Sequence, residues 1–318
     1  MQTKQGLVVK SVGNSCQVIT LEGTSYQCLV KGNLRIKGIR TTNPVVVGDT
    51  VLFSPSENEG EITYIQKILP RRNYIIRKAS NLSKESQILA ANIDCAFLIV
   101  TVHRPATSFV FIDRFLATAE AYSVPVHLVF NKVDELTLET EQNLLKEYQK
   151  IYSNIGYPCH SISALHHTGI EELYPLLEGK ITLLSGHSGV GKSTLINTLL
   201  PEAKLKTGAI SQMHETGMHT TTYSQMLPLE GLNGGYIIDT PGIKGFGTLE
   251  MNEANTAHYF REFFEKSKDC RFANCTHLRE PGCAVLQALE EGHISSSRYN
   301  SYLSILDDQF EGSYRNDL

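Results

Sequence analysis

Hydrophobic and polar positions change rhythm twice along the chain. Over residues 1 to about 70, short stretches rich in β-branched and aromatic residues (GLVVKSV, SCQVITL, SYQCLVKG, VVVGDTVLF and EITYIQKIL) are separated by Gly, Asn, Ser and Pro. This punctuation reads as five short strands. Five strands in so little chain suit a small closed barrel, for which the oligonucleotide/oligosaccharide-binding (OB) fold is the natural candidate and an SH3-like barrel the runner-up. Pro70-Arg71-Arg72 then reads as a linker. From about residue 73, apolar strand-length runs at Ala96 to Val102, Val124 to Phe130, Cys159 to Ser163, Ile181 to Ser185 and Gly235 to Asp239 alternate with helical stretches at Phe111 to Tyr122, Leu138 to Ile155 and Lys192 to Leu200. Buried parallel strands have that continuous apolar character, so the pattern predicts an α/β domain with a mostly parallel sheet and helices on both faces. Beyond about residue 248 the chain reads as helices around a cysteine cluster, ending in a polar tail. The expected division is residues 1–70, 71–247 and 248–318.

Composition narrows the setting. A hydrophobic fraction of 41% with 19% charged residues is that of a globular protein, and no apolar run approaches the roughly 18 residues that span a bilayer. The N-terminus lacks an apolar core and cleavage site for export. A cytoplasmic protein with no membrane association is expected. Residues 1–80 hold 11 Lys and Arg against five Asp and Glu in a chain whose net charge is -4. A basic N-terminal part on an acidic body suits contact with a polyanion such as RNA. Cys16, Cys28, Cys95 and Cys159 are scattered, whereas Cys270, Cys275 and Cys283 crowd around His277; this fits a reducing compartment and one metal site better than a disulfide framework.

Three motifs carry chemistry. Gly186-His187-Ser188-Gly189-Val190-Gly191-Lys192-Ser193, continued by Thr194, fits G-x-x-x-x-G-K-[ST] between an apolar strand and a helix. The glycines let backbone N–H groups turn onto phosphate oxygens at a helix N-terminus. Lys192 is expected to reach the β- and γ-phosphates and Ser193 to ligate Mg²⁺. Asp239-Thr-Pro-Gly242 ends a later strand, where an acid can hold Mg²⁺ through water and the Gly242 N–H can sense the γ-phosphate. Asn131-Lys132-Val133-Asp134 also ends a strand. The Asp134 carboxylate can accept from guanine N1–H and its exocyclic amine, a donor that adenine lacks, which selects GTP/GDP. Lys132 would pack across the base, Asn131 would brace the loop, and Ser163-Ala164 resembles the backbone element that meets guanine O6.

The order is unusual, because the guanine-reading loop precedes the phosphate loop. Joining the ends of a domain and cutting it at another loop preserves its contacts, so the sequence reads as a circularly permuted P-loop GTPase domain flanked by the barrel and the C-terminal helices. Between the phosphate loop and Asp239, Gly208 to Ser224 has the composition of a switch loop, in which Thr221, or else Thr220 or Thr222, completes the Mg²⁺ shell. The apolar Ile243 stands near where many GTPases carry a catalytic glutamine, so His219 is the candidate for orienting the attacking water, against a surface histidine beside a switch. Cys270, Cys275, His277 and Cys283 offer three thiolates and an imidazole, a closed tetrahedral Zn²⁺ set with a structural role; sulfur-rich tetrahedral sites also suit iron.

The motif order, basic barrel and Cys-x4-Cys-x-His-x5-Cys cluster together resemble, over essentially the whole chain, the bacterial ribosome small-subunit-dependent GTPase A family, circularly permuted GTPases of ribosome assembly. The resemblance implies an N-terminal OB fold, a permuted GTPase domain and a C-terminal helical zinc-binding domain. It also implies binding of the 30S subunit and its 16S rRNA late in maturation, with subunit-stimulated GTP hydrolysis that lets the factor leave. A monomer is expected. Members often carry an Arg- or Gly-rich run before the threonines, where this chain has Thr216-Gly-Met-His219. With no arginine finger or catalytic glutamine in view, the intrinsic rate should be slow. Two other readings compete: an RNA-binding factor that uses GTP as a structural ligand, and a P-loop ATPase.

Overall fold

The computed structural model of the chain describes residues 3–30, 44–55, 63–78, 86–201, 225–232, 234–239 and 253–314. Strands β1 (Lys4–Val12), β2 (Ser15–Thr20), β3 (Ser25–Val30), β4 (Thr50–Ser54) and β5 (Thr63–Ile68) pair in the order β1-β2-β3-β5-β4, and β4 returns to β1. The five strands predicted from the alternating pattern therefore close into a barrel. Its interior takes every second residue, as the period of a strand dictates: Val8, Cys16, Val18, Cys28, Val51, Phe53 and Ile65 are fully buried together.

A hairpin that the sequence pattern did not predict, β6 (Tyr74–Lys78) with β7 (Ser86–Ala91), joins the barrel to the second sheet. Here β8 (Cys95–Val100), β9 (Val126–Phe130), β10 (Cys159–Ser161), β11 (Ile181–Ser185) and β13 (Gly235–Asp239) lie parallel in the order β10-β9-β8-β11-β13. Strand β12 (Gln225–Leu229), also not anticipated, runs antiparallel to β13 and touches β1 through Lys10 and Gln225, so barrel and body share one continuous sheet.

Both faces of the parallel strands are covered. In β8, Ala96, Leu98 and Val100 enter one core with α1 (Phe109–Ala121) and α2 (Glu139–Asn154), while Cys95, Phe97 and Ile99 enter another with α4 (Lys192–Leu199) and the short α3 (Tyr174–Leu177). Helix α1 buries Ile112, Phe115, Leu116 and Ala119, the i, i+3, i+4, i+7 stripe of a sheet-facing helix, and Ser108 caps it by accepting from the Phe111 N–H at 3.2 Å.

Asp113 and Ala117, one turn apart on α1, face the C-terminal helices α5 (Glu253–Thr256), α6 (Arg261–Ser267), α7 (Ala284–Glu290) and α8 (Ser296–Tyr314). The α8 helix continues through Tyr314, where a polar tail was expected. Arg298 of α8, fully buried, donates to Asp113 Oδ1 at 2.7 Å and to Glu262 Oε1 at 2.6 Å, and the Tyr152 hydroxyl of α2 donates to the same Asp113 oxygen at 2.8 Å. Burial opposes the charge of Arg298, yet the two carboxylates outweigh it and hold the guanidinium protonated. Among the described residues, no helix is long and apolar enough to cross a membrane.

The Pro70-Arg71-Arg72 segment is not a free linker. Arg71 forms a fork on the fully buried Asp49 carboxylate, with Nε to Oδ1 at 2.6 Å and Nη2 to Oδ2 at 2.7 Å, and also donates to Pro44 O at 2.8 Å. Arg72 reaches Asp94 at 2.7 Å on the body side. Gly48, at φ +86°, lies so close to the Ala91 carbonyl that a Cβ there has no room. The Arg71→Met substitution is expected to cost about 3 kcal/mol or more, because it leaves a buried carboxylate without its cation. Denaturant unfolding measures this, and a loss below about 1 kcal/mol would contradict a joint built on that pair.

Candidate functional site

The loops at the C-terminal ends of β8, β9, β10 and β11 meet on one side of the sheet, the edge where open α/β sheets place their ligands. The glycine-rich loop leaves β11 through Gly186 (φ +144°), whose missing Cβ lets it lie on the Ile99 carbonyl, and enters α4 through Gly191 (φ +94°). A side chain on Gly191 would collide with the Asn131 amide. That approach is used: Asn131 Nδ2 donates to Val190 O at 2.8 Å. Asn131, Val190, Ser163 and Ala164 are buried, whereas Ser188 and Gly189 are exposed. Ser193 and Thr194 stand half-buried in the first turn of α4.

Asn131 also reaches the third loop, its Oδ1 accepting from the Ala164 N–H at 3.0 Å. One amide thus ties the strand-end loops of β9, β10 and β11 together. The Ala164 carbonyl accepts from Thr198 Oγ1 at 3.0 Å, which moors the Ser163-Ala164 turn to α4. Thr198 was not singled out from the sequence; its signal was its position one helical turn beyond Thr194. The Ala164 N–H, the expected partner of guanine O6, is already engaged, so a base oxygen there shares that donor with Asn131.

Lys132 adopts left-handed geometry (φ +63°) at the start of a helical turn over Val133–Glu135. Its Nζ donates to the Arg104 carbonyl at 2.7 Å and lies 3.8 Å from Glu135 Oε1. Asp134 keeps a quarter of its side chain exposed, with His166 Nε2 at 3.5 Å from Oδ2. Lys192 Nζ donates back to the Gly186 and His187 carbonyls at 2.5 and 2.9 Å, the positions from which a phosphate would draw it. Asp239 ends β13 beside β11, in register with Leu184. Gly242, His219, Thr220, Thr221 and Thr222 lie outside the described residues.

Far along the chain, Cys270, Cys275, His277 and Cys283 bring their ligand atoms within 4.8 Å of one another. Cys270 Sγ is 4.0 Å from Cys283 Sγ and 3.8 Å from His277 Nδ1, and His277 Nδ1 is 3.4 Å from Cys283 Sγ. A tetrahedron with metal–sulfur bonds of about 2.3 Å has edges of about 3.8 Å, so the four groups fit a closed metal site. Burial pushes the Cys275 thiol up to about 12 and raises Cys283 as well, while it lowers the His277 imidazole. An occupying cation must therefore displace thiol protons.

The turn that presents these ligands is held from both sides. Glu280 accepts from the Thr276 N–H and hydroxyl at 2.5 and 2.6 Å and from the Leu278 and Arg279 N–H groups at 3.0 Å each. Burial works against this carboxylate, but the donors from Thr276, its own N–H and Arg279 prevail and hold its pKa at about 2. On the carbonyl side, Tyr302 and Tyr299 of α8 donate to Thr276 O at 2.7 Å and His277 O at 2.8 Å. His277 itself needs left-handed geometry (φ +60°), which that bracing stabilises.

The chain matches the RsgA GTPase family model over residues 68–249 and the RsgA N-terminal domain model over residues 5–64. It is 59% identical to the Small ribosomal subunit biogenesis GTPase RsgA of Porphyromonas gingivalis strain W83, with 98% of each chain covered. The protein of the same name from Phocaeicola vulgatus is 57% identical, covering 98% of this chain and 99% of the relative. Among solved structures, YjeQ from Thermotoga maritima superimposes with a TM-score of 0.79 at 34% identity, covering 97% of this chain and 99% of that one. YloQ, described as a circularly permuted GTPase, gives 0.76 at 26% identity, with 98% and 96% covered.

Glu280→Gln removes charge from a carboxylate that gathers four donors around the ligand turn. A bound metal should then pass to a chromogenic chelator on the order of tenfold faster, since partners of a ligand turn commonly carry that much affinity. Unchanged release kinetics would show that the tyrosines alone hold the turn.

Proposed function

Because this chain belongs to the RsgA GTPase family, we propose that it is a GTP hydrolase that binds the 30S ribosomal subunit and its 16S rRNA, assists late maturation, and leaves as GTP is converted to GDP and phosphate. The observation that carries this reading is the Asn131 amide, which joins the base-reading loop, the Ser163-Ala164 turn and the phosphate loop into one pocket. The full-length likeness to relatives named for small-subunit biogenesis supports the cellular role.

In this reading Asp134 accepts from guanine N1–H and the exocyclic amine, Lys132 covers the base, and Val133 spaces the two. Gly186, His187, Ser188, Gly189, Val190 and Gly191 present backbone donors to the phosphates. Lys192 exchanges the Gly186 and His187 carbonyls for β- and γ-phosphate oxygens, a charge-assisted gain. Mg²⁺, when bound, would neutralise developing phosphate charge, with Ser193 and Thr221, or else Thr220 or Thr222, as the residues that would hold it and Asp239 reaching it through water, while Thr194 would join the loop that binds the nucleotide. Gly242 would sense the γ-phosphate and His219 would orient water. Cys270, Cys275, His277 and Cys283 would hold one structural Zn²⁺. The basic residues 1–70 would meet rRNA, residues 71–247 would carry the GTPase chemistry, and residues 248–318 the zinc site. The protein would act as a cytoplasmic monomer.

Phosphate release from GTP and from ATP, with and without 30S subunits, tests the assignment. GTP-selective release that rises with 30S is the expected result; equal release from ATP, or indifference to the subunit, would overturn it. For the base contact, Asp134→Asn replaces an acceptor with a donor. Because xanthine carries a carbonyl where guanine carries the exocyclic amine, affinity should shift from GDP toward xanthosine diphosphate by about tenfold or more in a competition assay. A variant that still prefers GDP would place the base elsewhere.

A further inference from the structure

The second position of the glycine-rich motif is chemically unconstrained, yet in this chain it carries a histidine whose two ring nitrogens are both engaged. His187 Nδ1 lies 3.0 Å from the carbonyl oxygen of Ser188, and Nε2 lies 2.7 Å from Thr107 Oγ1. A carbonyl only accepts, so Nδ1 carries the proton; in the neutral ring Nε2 then accepts from the Thr107 hydroxyl. Thr107 Oγ1 in turn accepts from the Thr101 N–H at 3.1 Å, directly beyond β8. Thr107 is buried, its N–H donates to Thr101 O at 2.8 Å, and its carbonyl accepts from the Tyr148 hydroxyl of α2 at 2.9 Å. The imidazole packs edge-on against Phe111 of α1 at 5.5 Å. Burial, together with the charge of Lys192, outweighs the Ser188 contact, which favours the protonated form, and lowers the ring's pKa below its ordinary value, so that the neutral form is favoured.

A directed chain of donors thus runs from the end of β8 through Thr107 and His187 to one peptide oxygen of the phosphate loop. The Ser188–Gly189 peptide is planar and trans, so a carbonyl held toward the α1 wall sends the Gly189 N–H the opposite way. Gly189, at φ +86°, has no side chain to resist a flip of that peptide, and a Cβ added there would meet the Pro105 ring at 3.4 Å.

We propose that His187 is a positioning residue for GTP hydrolysis: by holding the Ser188 carbonyl, it fixes the Gly189 N–H in the orientation that meets the phosphate as charge develops on the leaving group. This rests on the reading of the loop as the phosphate cradle of a GTPase. A donor preorganised toward developing charge acts more on the transition state than on the bound nucleotide, so its effect falls on kcat more than on GTP affinity.

The test compares His187→Asn and His187→Leu in the full chain, by single-turnover GTP hydrolysis with and without 30S subunits and by GDP affinity. The asparagine amide stands where Nδ1 stands and donates to the Ser188 carbonyl; leucine keeps the packing on Phe111 and no donor. The expected result is a kcat within about twofold of the native protein for His187→Asn, and a loss of roughly tenfold or more for His187→Leu with GDP affinity changed less than the rate. Native rates in His187→Leu, or an equal loss in both variants, would overturn the proposal, since either result shows that a donor to the Ser188 carbonyl does not set the rate. If the native protein itself released no phosphate from GTP, the GTPase reading would fail instead, a result distinct from either.

Discussion

A single side-chain amide carries the geometry of the proposed nucleotide pocket. Asn131 donates to the loop after β11 and accepts from the loop after β10 while sitting at the end of β9, so three segments from distant parts of the chain hold one mutual arrangement. The contact is cheap to make only because Gly191 has no Cβ and because Asn131 is buried where water does not compete. It is indifferent to the order in which the chain visits the three loops. That indifference is the physical reason a permuted chain can build this pocket: what must be kept is the adjacency of strand ends, and β9, β8 and β11 remain neighbours whichever is made first.

The other long-range ties converge on α1. Its sheet-facing stripe belongs to the central core, its N-terminal turn packs Phe111 against His187 of the phosphate loop, and its outer face offers Asp113 to Arg298. Arg298, Tyr299 and Tyr302 are close neighbours on α8, and the two tyrosines hold the carbonyls of the turn that carries His277. The metal-ligand turn and the phosphate loop are therefore linked through two packed helices and one buried ion cluster. A charge buried as deeply as Arg298 is costly unless every partner is in place, which makes the docking of the C-terminal helices specific in orientation.

How much of this could be read in advance follows the periodicity of each element. The barrel strands and the strands β8, β9, β11 and β13 were legible because alternation or unbroken apolarity marks them, and α1, α2 and α4 because their stripes repeat every three to four residues. The motif loops were legible because glycine and lysine at those spacings have few other uses. The β6–β7 hairpin was not, since RKASNLSKESQ is as polar as a loop. Arg71 reads as linker in the sequence because an arginine after proline ordinarily is one; the counter-signal is Asp49 inside the apolar run VVVGDTVLF, a carboxylate that burial obliges to find a cation. Glu280, Thr198 and Thr107 escaped because their partners are mostly backbone groups, and backbone groups leave no trace in composition.

The strand order also decides what is tied to what by covalent bonds. Strand β13 ends at Asp239, and among the described residues no further strand of the sheet follows it; the next described element is α5, which opens the helices bearing the cysteine cluster. At the opposite end, β7 of the connecting hairpin passes into β8 within a few residues. The parallel sheet is thus spliced between its two appendages like a link in a chain, and tension applied along the chain at either appendage has to pass through that sheet to reach the other.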